Sequence, residues 1–121
     1  MKIIFISFIC IVLTACTTVR PDENVFDAAE NAIQAAEAVG GDEFAPVEMR
    51  FARAKLASAK IGMEKEKYEV AVYLVDESEI NAELAIEKSR TAKSRRRVNE
   101  LRRRNEELDQ KMRATFGDEY K

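Results

Sequence analysis

Apolar positions along the chain change their spacing several times, and each change marks an element. An apolar run, IIFISFICIVL from Ile3 to Leu13, follows Lys2 and is interrupted only by Ser7 and Cys10. As a helix it would reach roughly 16 Å, about half a bilayer core, which is too short for a span. Val25, Phe26, Ala29, Ala32, Ile33, Ala36 and Val39 then recur at steps of three and four, predicting a first helix. Pro21-Asp22-Glu23 suits its opening turn and Gly40-Gly41 its end. A second helix begins between Asp42 and Pro46 and carries two apolar stripes. One is Val47, Phe51, Ala54, Ser58 and Ile61; the other is Met49, Ala52, Leu56, Ala59 and Met63. Two stripes predict neighbours on two sides, which places this helix in the middle of three. The polar stretch MEKEK at 63–67 ends it. A third helix from about Tyr68 brings Ala71, Val72, Val75, Ala82, Ala85 and Ile86 back onto the second. No Pro or Gly follows until Gly117, so a continuous helix would extend on the order of 70 Å and project beyond its partners. The expected fold is all-α: a small three-helix bundle of two short helices and one long third helix, with a short coiled coil toward its C-terminal end.

Composition narrows the chemistry. The chain has no His, no Trp and two Cys. Ser58, Ser78, Ser89 and Ser94 have no imidazole to activate them, and a transition-metal site lacks its usual ligands. The expectation is a protein that is not an enzyme and uses no cofactor or metal. A charged start, a short apolar centre and small residues at its end match a secretory signal. Leu13-Thr14-Ala15-Cys16 at the end of that run resembles the lipobox of bacterial lipoproteins. The resemblance implies cleavage between Ala15 and Cys16, a diacylglycerol on the Cys16 thiol and an acylated (palmitate-type) amino terminus. Two or more chains give stable anchoring where one gives only marginal binding. Thr17 follows the Cys in place of the Asp associated with inner-membrane retention, so outer-membrane delivery facing the periplasm is expected. The alternative is a plain signal peptide with an accidental Cys. The chain then divides into 1–15, signal peptide; 16–24, lipidated Cys and linker; 25–90, alanine-rich bundle; 91–116, projecting basic helix or coiled coil; and 117–121, tail.

Charge is sharply polarised along the mature part. From Arg20 to Glu87 there are seven basic and sixteen acidic residues, against nine basic and one acidic from Lys88 to Arg104. Arg95, Arg96, Arg97, Arg102, Arg103 and Arg104 form a basic strip and are the candidate partner-binding residues. One reading is a solvated face neutralised within itself, Glu100 reaching Arg104, and Arg102 and Arg103 reaching Glu106 and Glu107, at spacings worth about 0.2 to 0.5 kcal/mol each. The other is a docking surface for an anionic partner: lipopolysaccharide or phospholipid headgroups, peptidoglycan carboxylates, another envelope protein, or the acidic half of a second copy. Nucleic acid is set aside because the chain is expected to be exported. Val98, Leu101, Asn105, Leu108 and Met112 make a candidate coiled-coil seam of about two heptads, with Asn at a core position. In a parallel homodimer Arg97 and Arg102 would oppose each other across it.

The stretch AAENAIQAAEAVGGDEFAPVEMRFARAKLASAK, followed by KYEVAVYLVDESEINAELA, is similar to an alanine-rich domain of unknown function found in bacterial envelope lipoproteins. That resemblance implies a helical hairpin with a long third helix and supplies no catalytic residues. Some members carry an OmpA-like peptidoglycan-binding domain, which this sequence does not show. The terminal Lys121 looks like the cell-wall attachment residue of the major murein lipoprotein, and that resemblance implies a covalent link through its side-chain amine. The function expected is a lipid-anchored periplasmic scaffold, spacer or adaptor, with a peptidoglycan- or lipopolysaccharide-binding module as the alternative.

Overall fold

The computed structural model describes residues 20–117. A 3-10 turn, Glu23–Phe26, leads into α1, Asp27–Ala38. The expected opening at Pro21 is therefore one tight turn ahead of the true α-helix, the Val25 N–H donating to the Asp22 carbonyl at 3.1 Å. Gly40, left-handed at φ 81°, stops α1 while its N–H donates to the Glu37 carbonyl at 2.9 Å. Next comes α2, Gly41–Phe44, one turn that the sequence pattern had merged into the start of the following helix. Ala45 separates it from α3, Pro46–Glu64, whose proline sits in the first turn where a missing N–H costs nothing. A reversal at Lys65–Lys67, with Glu66 at φ 57°, leads into α4, Tyr68–Phe116, a single helix of 49 residues. Its continuity follows from the lack of any Pro or Gly within it, and its length from the ~1.5 Å rise per residue, roughly 70 Å.

The order of layers differs from the sequence expectation. The long helix α4, not α3, is the central element, packing against both α3 and α1, while α1 has a smaller contact with α3. Of the two stripes on α3, one is the core face: Met49, Ala52 and Ala59 are buried and Leu56 and Met63 half-buried. The other stripe, Val47, Phe51, Ala54, Ser58 and Ile61, is exposed along its length. The physical reason is side-chain size. Where helices are stitched by alanine the axes come close, and large β-branched or aromatic groups do not fit between them. The buried positions are accordingly small: Ala29 and Ala36 on α1, Ala52 and Ala59 on α3, Ala71, Ala82 and Ala85 on α4, all 0 % exposed. Val75 is also buried, and Val72 and Ile86 are half-buried, so every α4 residue expected at the interface is there.

Two buried positions are polar. Ser78 and Ser89 are fully buried, yet neither strands its hydroxyl. Ser78 Oγ donates to the Ala52 carbonyl on α3 at 2.8 Å, and Ser89 Oγ to the Ala85 carbonyl one turn back at 2.7 Å. A hydroxyl that bonds to a main-chain carbonyl needs little more room than a methyl, so serine substitutes for alanine at this spacing. Gly62 lies directly against α4, since a Cβ placed there would be 3.3 Å from the Ala71 Cβ.

Ala82→Leu would force a larger side chain into this interface and should lower unfolding stability by about 1–3 kcal/mol in urea titration. Ala114→Leu, on the exposed end of α4, should leave the same midpoint unchanged.

Candidate functional site: the uncovered surface of the long helix

Beyond Ala92 the side chains of α4 are exposed apart from a half-buried Met112, so this half is not held by a core. Local ion pairs support it instead. Arg90 reaches Glu87 at 2.6 Å, Arg104 reaches Glu100 at 2.6 Å, Arg103 lies 3.7 Å from Glu107, and Arg113 is 3.0 Å from Asp109. Exposed pairs of this kind contribute only tenths of a kcal/mol each.

Three of the six candidate arginines are thus engaged within the chain. Arg103 and Arg104 pair along the helix as the sequence suggested, but Arg96 does something the sequence could not show. Its guanidinium meets Glu43 of α2 at 3.2 Å, and one turn earlier the Lys93 ammonium sits 5.7 Å from the centre of the Phe44 ring. The single turn α2 therefore braces the point where α4 leaves the bundle. An open groove of about 620 Å³ lies here, with Lys93, Arg96, Arg97 and Arg104 facing Glu43 and Glu100. The remaining arginines, Arg95, Arg97 and Arg102, form no ion pair among the described residues, and Arg102 does not engage Glu106. Arg90, Arg95 and Arg102 instead line a second open groove, about 540 Å³, together with Thr91, Ser94 and Val98.

The candidate seam is exposed. Val98, Leu101 and Leu108 show 45 %, 48 % and 57 % of their surface, and Asn105 is open as well. Within the bundle the same is true of Val70, Tyr73, Ile80 and Leu84 on α4. Cys16, Ala15 and Lys121 lie outside the described residues.

Charge pairs fasten the helices side by side. Lys55 of α3 binds Glu77 of α4, and Lys88 of α4 binds Glu48 of α3. Tyr73 Oη also donates to Glu77 Oε1 at 2.9 Å. On the other side of α3, Arg53 spans Asp42 and Glu37 at 2.8 and 2.7 Å, and Lys60 reaches Glu30 at 2.7 Å. The ammonium of Lys55, followed by the Tyr73 hydroxyl, holds the Glu77 carboxyl below its ordinary value. Lys88 does the same for Glu48, and the Arg53 guanidinium for Asp42. The Glu77 carboxylate in turn raises both the Lys55 ammonium and the Tyr73 phenol.

Among the described residues no group of three His, Cys, Asp or Glu side chains is placed to hold a metal ion. None of their helices is long and apolar enough to cross a membrane. The geometry defines an all-helical hairpin, backed by a short helix, from which one helix extends with its outer face uncovered. Residues 25–101 match a family described as a domain of unknown function, DUF4398, and the chain belongs to that family. It is similar to the crystal structure, at 2.47 Å resolution, of a DUF4398 family protein from Pseudomonas aeruginosa PAO1. The two share 33 % identity over 78 % of this chain and 99 % of that one, with a TM-score of 0.70. Comparison with curated proteins gives no match.

Carboxyls held below their ordinary value add stability that is complete above the unfolded pKa and is lost as pH falls through the lowered folded values. Thermal midpoints should therefore stay level from pH 7 to about 5 and fall below about 4, the range of free Asp and Glu. Glu48→Gln should make that fall shallower, which a melt series at fixed ionic strength would show.

Proposed function

We propose that this DUF4398 protein is a non-enzymatic scaffold, spacer or adaptor of the bacterial cell envelope. In this reading Cys16 carries the lipid anchor after cleavage behind Ala15, the bundle stays at the periplasmic face of the outer membrane, and α4 is the contact element. The observation that carries the reading is the form of α4, a helix of 49 residues whose outer half is open to solvent and strongly basic. Such a half-helix has no reason to be maintained for folding alone, since its own ion pairs stabilise it only weakly. The lipobox-like LTAC sequence and the short apolar run before it support the location. A helix on the order of 70 Å supports the spacing role.

A second reading, a peptidoglycan- or lipopolysaccharide-binding module, is favoured by Arg95, Arg97 and Arg102, which lack carboxylate partners among the described residues. Covalent attachment to the cell wall through Lys121 is its extreme form.

Mass spectrometry of protein from intact envelopes tests the first reading. A diacylglyceryl, N-acylated Cys16 is expected at the amino terminus, and an unmodified, unprocessed chain overturns it. The second reading predicts that the chain from Thr17 onward sediments with isolated sacculi or binds lipopolysaccharide. That binding should weaken as salt shortens the screening length to about 3 Å near 1 M, and should be lost when Arg95, Arg97 and Arg102 become Gln.

A further inference from the structure

The exposed apolar residues of α4 are not scattered. Val70, Tyr73, Ile80, Leu84, Val98, Leu101 and Leu108, each 45–62 % exposed, fall on one series of alternating three- and four-residue steps, and only Phe116 at the end of the helix lies off it. Its polar members are Glu77, Glu87, Thr91, Ser94 and Asn105, and it ends at Met112. The register runs for about six heptads, on the order of 60 Å, with its apolar members grouped toward the two ends. It begins inside the bundle, is polar at Glu87, Thr91 and Ser94 where α4 leaves it, and becomes apolar again from Val98 along the projecting half.

One flank of the stripe carries a second pattern. The residues immediately before each first seam position are, in order, Glu69, Asp76, Glu83, Arg90, Arg97, Arg104 and Lys111. Acids come first and bases after, with no mixing. Glu69, Asp76, Glu83, Arg97 and Lys111 are exposed and have no ion-pair partner among the described residues.

We propose that two copies of this chain pair antiparallel along this stripe, the projecting half of each lying against the hairpin of the other. The proposal rests on α4 alone and does not depend on the envelope reading. Antiparallel pairing sets like flanks against each other in reverse order, so Glu69 meets the second copy's Lys111, Asp76 its Arg104, and Glu83 its Arg97. Arg90 on this flank and Lys88 on the other meet their own counterparts, but each Arg90 is already bound to its own Glu87 at 2.6 Å and each Lys88 to its own Glu48. In the seam, Val70 stacks on Leu108 and Ile80 on Val98 of the other copy, and Tyr73 lies opposite Asn105. A parallel pair is disfavoured on three counts. It sets Glu77 on Glu77 and Glu87 on Glu87 within the seam, Arg90 against Arg95, and Arg97 against Arg102.

The exposed stripe of α3 also gains a purpose. Phe51 lies one turn from both Glu48 and Lys55, and Ile80 and Leu84 lie one turn from their partners Glu77 and Lys88. The apolar positions of both helices therefore share one side of the hairpin, away from α1. A second copy's basic half laid along α4 there would be flanked by Val47, Phe51 and Ile61.

The chain from Thr17 onward keeps every described residue and contains no cysteine, so orientation can be read by disulfide trapping. Light scattering should give twice the mass of one chain. A mixture of the V98C and I80C proteins should crosslink between the two variants under mild oxidation, while V98C alone should not crosslink to itself. E69K/D76K/E83K should lose the dimer while keeping the circular dichroism of a folded bundle, because all three positions are exposed. Self-crosslinking of V98C without the mixed product overturns the proposal in favour of a parallel pair. A single-chain mass at every concentration overturns it too, and leaves the stripe to a different protein.

Discussion

Close approach of α3 to α4, made possible by side chains of a single carbon, is the constraint on which the rest of the molecule depends. Alanine burial removes little apolar surface per residue, so the transfer contribution at each position is modest. The compensation is proximity, since backbones that approach this nearly make many dispersion contacts and admit no large residue between them. The largest side chains that are fully buried are Met49, Ser78 and Ser89, which shows how little room the interface leaves. Bulky residues are thereby expelled to the outside, where Phe51, Ile61, Ile80 and Leu84 now lie. The tight core and the apolar exterior are two results of one packing choice.

That choice also explains which features were legible in the sequence. The unbroken α4 could be read because helix formers without Pro or Gly leave the chain no place to stop, and Gly40 could be read because the end of α1 requires a left-handed residue. The rank of the helices could not. A reading that gives weight to hydrophobic size takes Val47, Phe51 and Ile61 for a core stripe, whereas this bundle buries Ala52 and Ala59 on the adjacent face. Ser78 and Ser89 escaped notice for the converse reason, because polarity suggested exposure where volume decided burial. The brace formed by Glu43, Phe44, Lys93 and Arg96 had no local signal at all. Its residues are about fifty positions apart, and GDEF reads equally well as the first turn of the next helix.

The long helix carries two seams of the same period on different faces. Ala71, Val75, Ser78, Ala82, Ala85 and Ser89 step by four and three toward the bundle, and the stripe through Tyr73, Ile80, Val98 and Leu101 steps likewise toward solvent. The inner seam stops at Ser89, where α3 runs out of residues at Pro46 and α2 closes the end of the bundle. The outer seam has no such limit. Charge follows the same division, with acidic residues dominating where α4 is shared with α1 and α3, and arginines where it is alone. A helix that served only as the spine of its own bundle could end near the brace at Arg96, where its last contact with α2 lies.

Geometry separates the two ways in which that extension could be used. Ala29 of α1 packs with Ala59 and Val75, which puts the start of the described chain near the α3–α4 reversal. A single copy anchored there would direct α4 away from its anchor, and the reach of the free half would set a spacing. Two antiparallel copies would place their anchored ends at opposite extremes of a shared rod, on the order of 65 Å apart. A rod tethered at both ends lies along a membrane instead of standing out from it, and its basic halves then lie against acidic hairpins and are no longer open to an anionic partner. The proposed spacing and the proposed self-pairing would therefore compete for one helix face. Their balance is electrostatic at the flanks, where exposed charges separated by more than about 8–10 Å are screened at ordinary ionic strength. Only contact pairs such as Glu83 with Arg97 keep their preference under those conditions, so the orientation of two copies would be decided residue by residue along the flank and not by the net polarity of the rod.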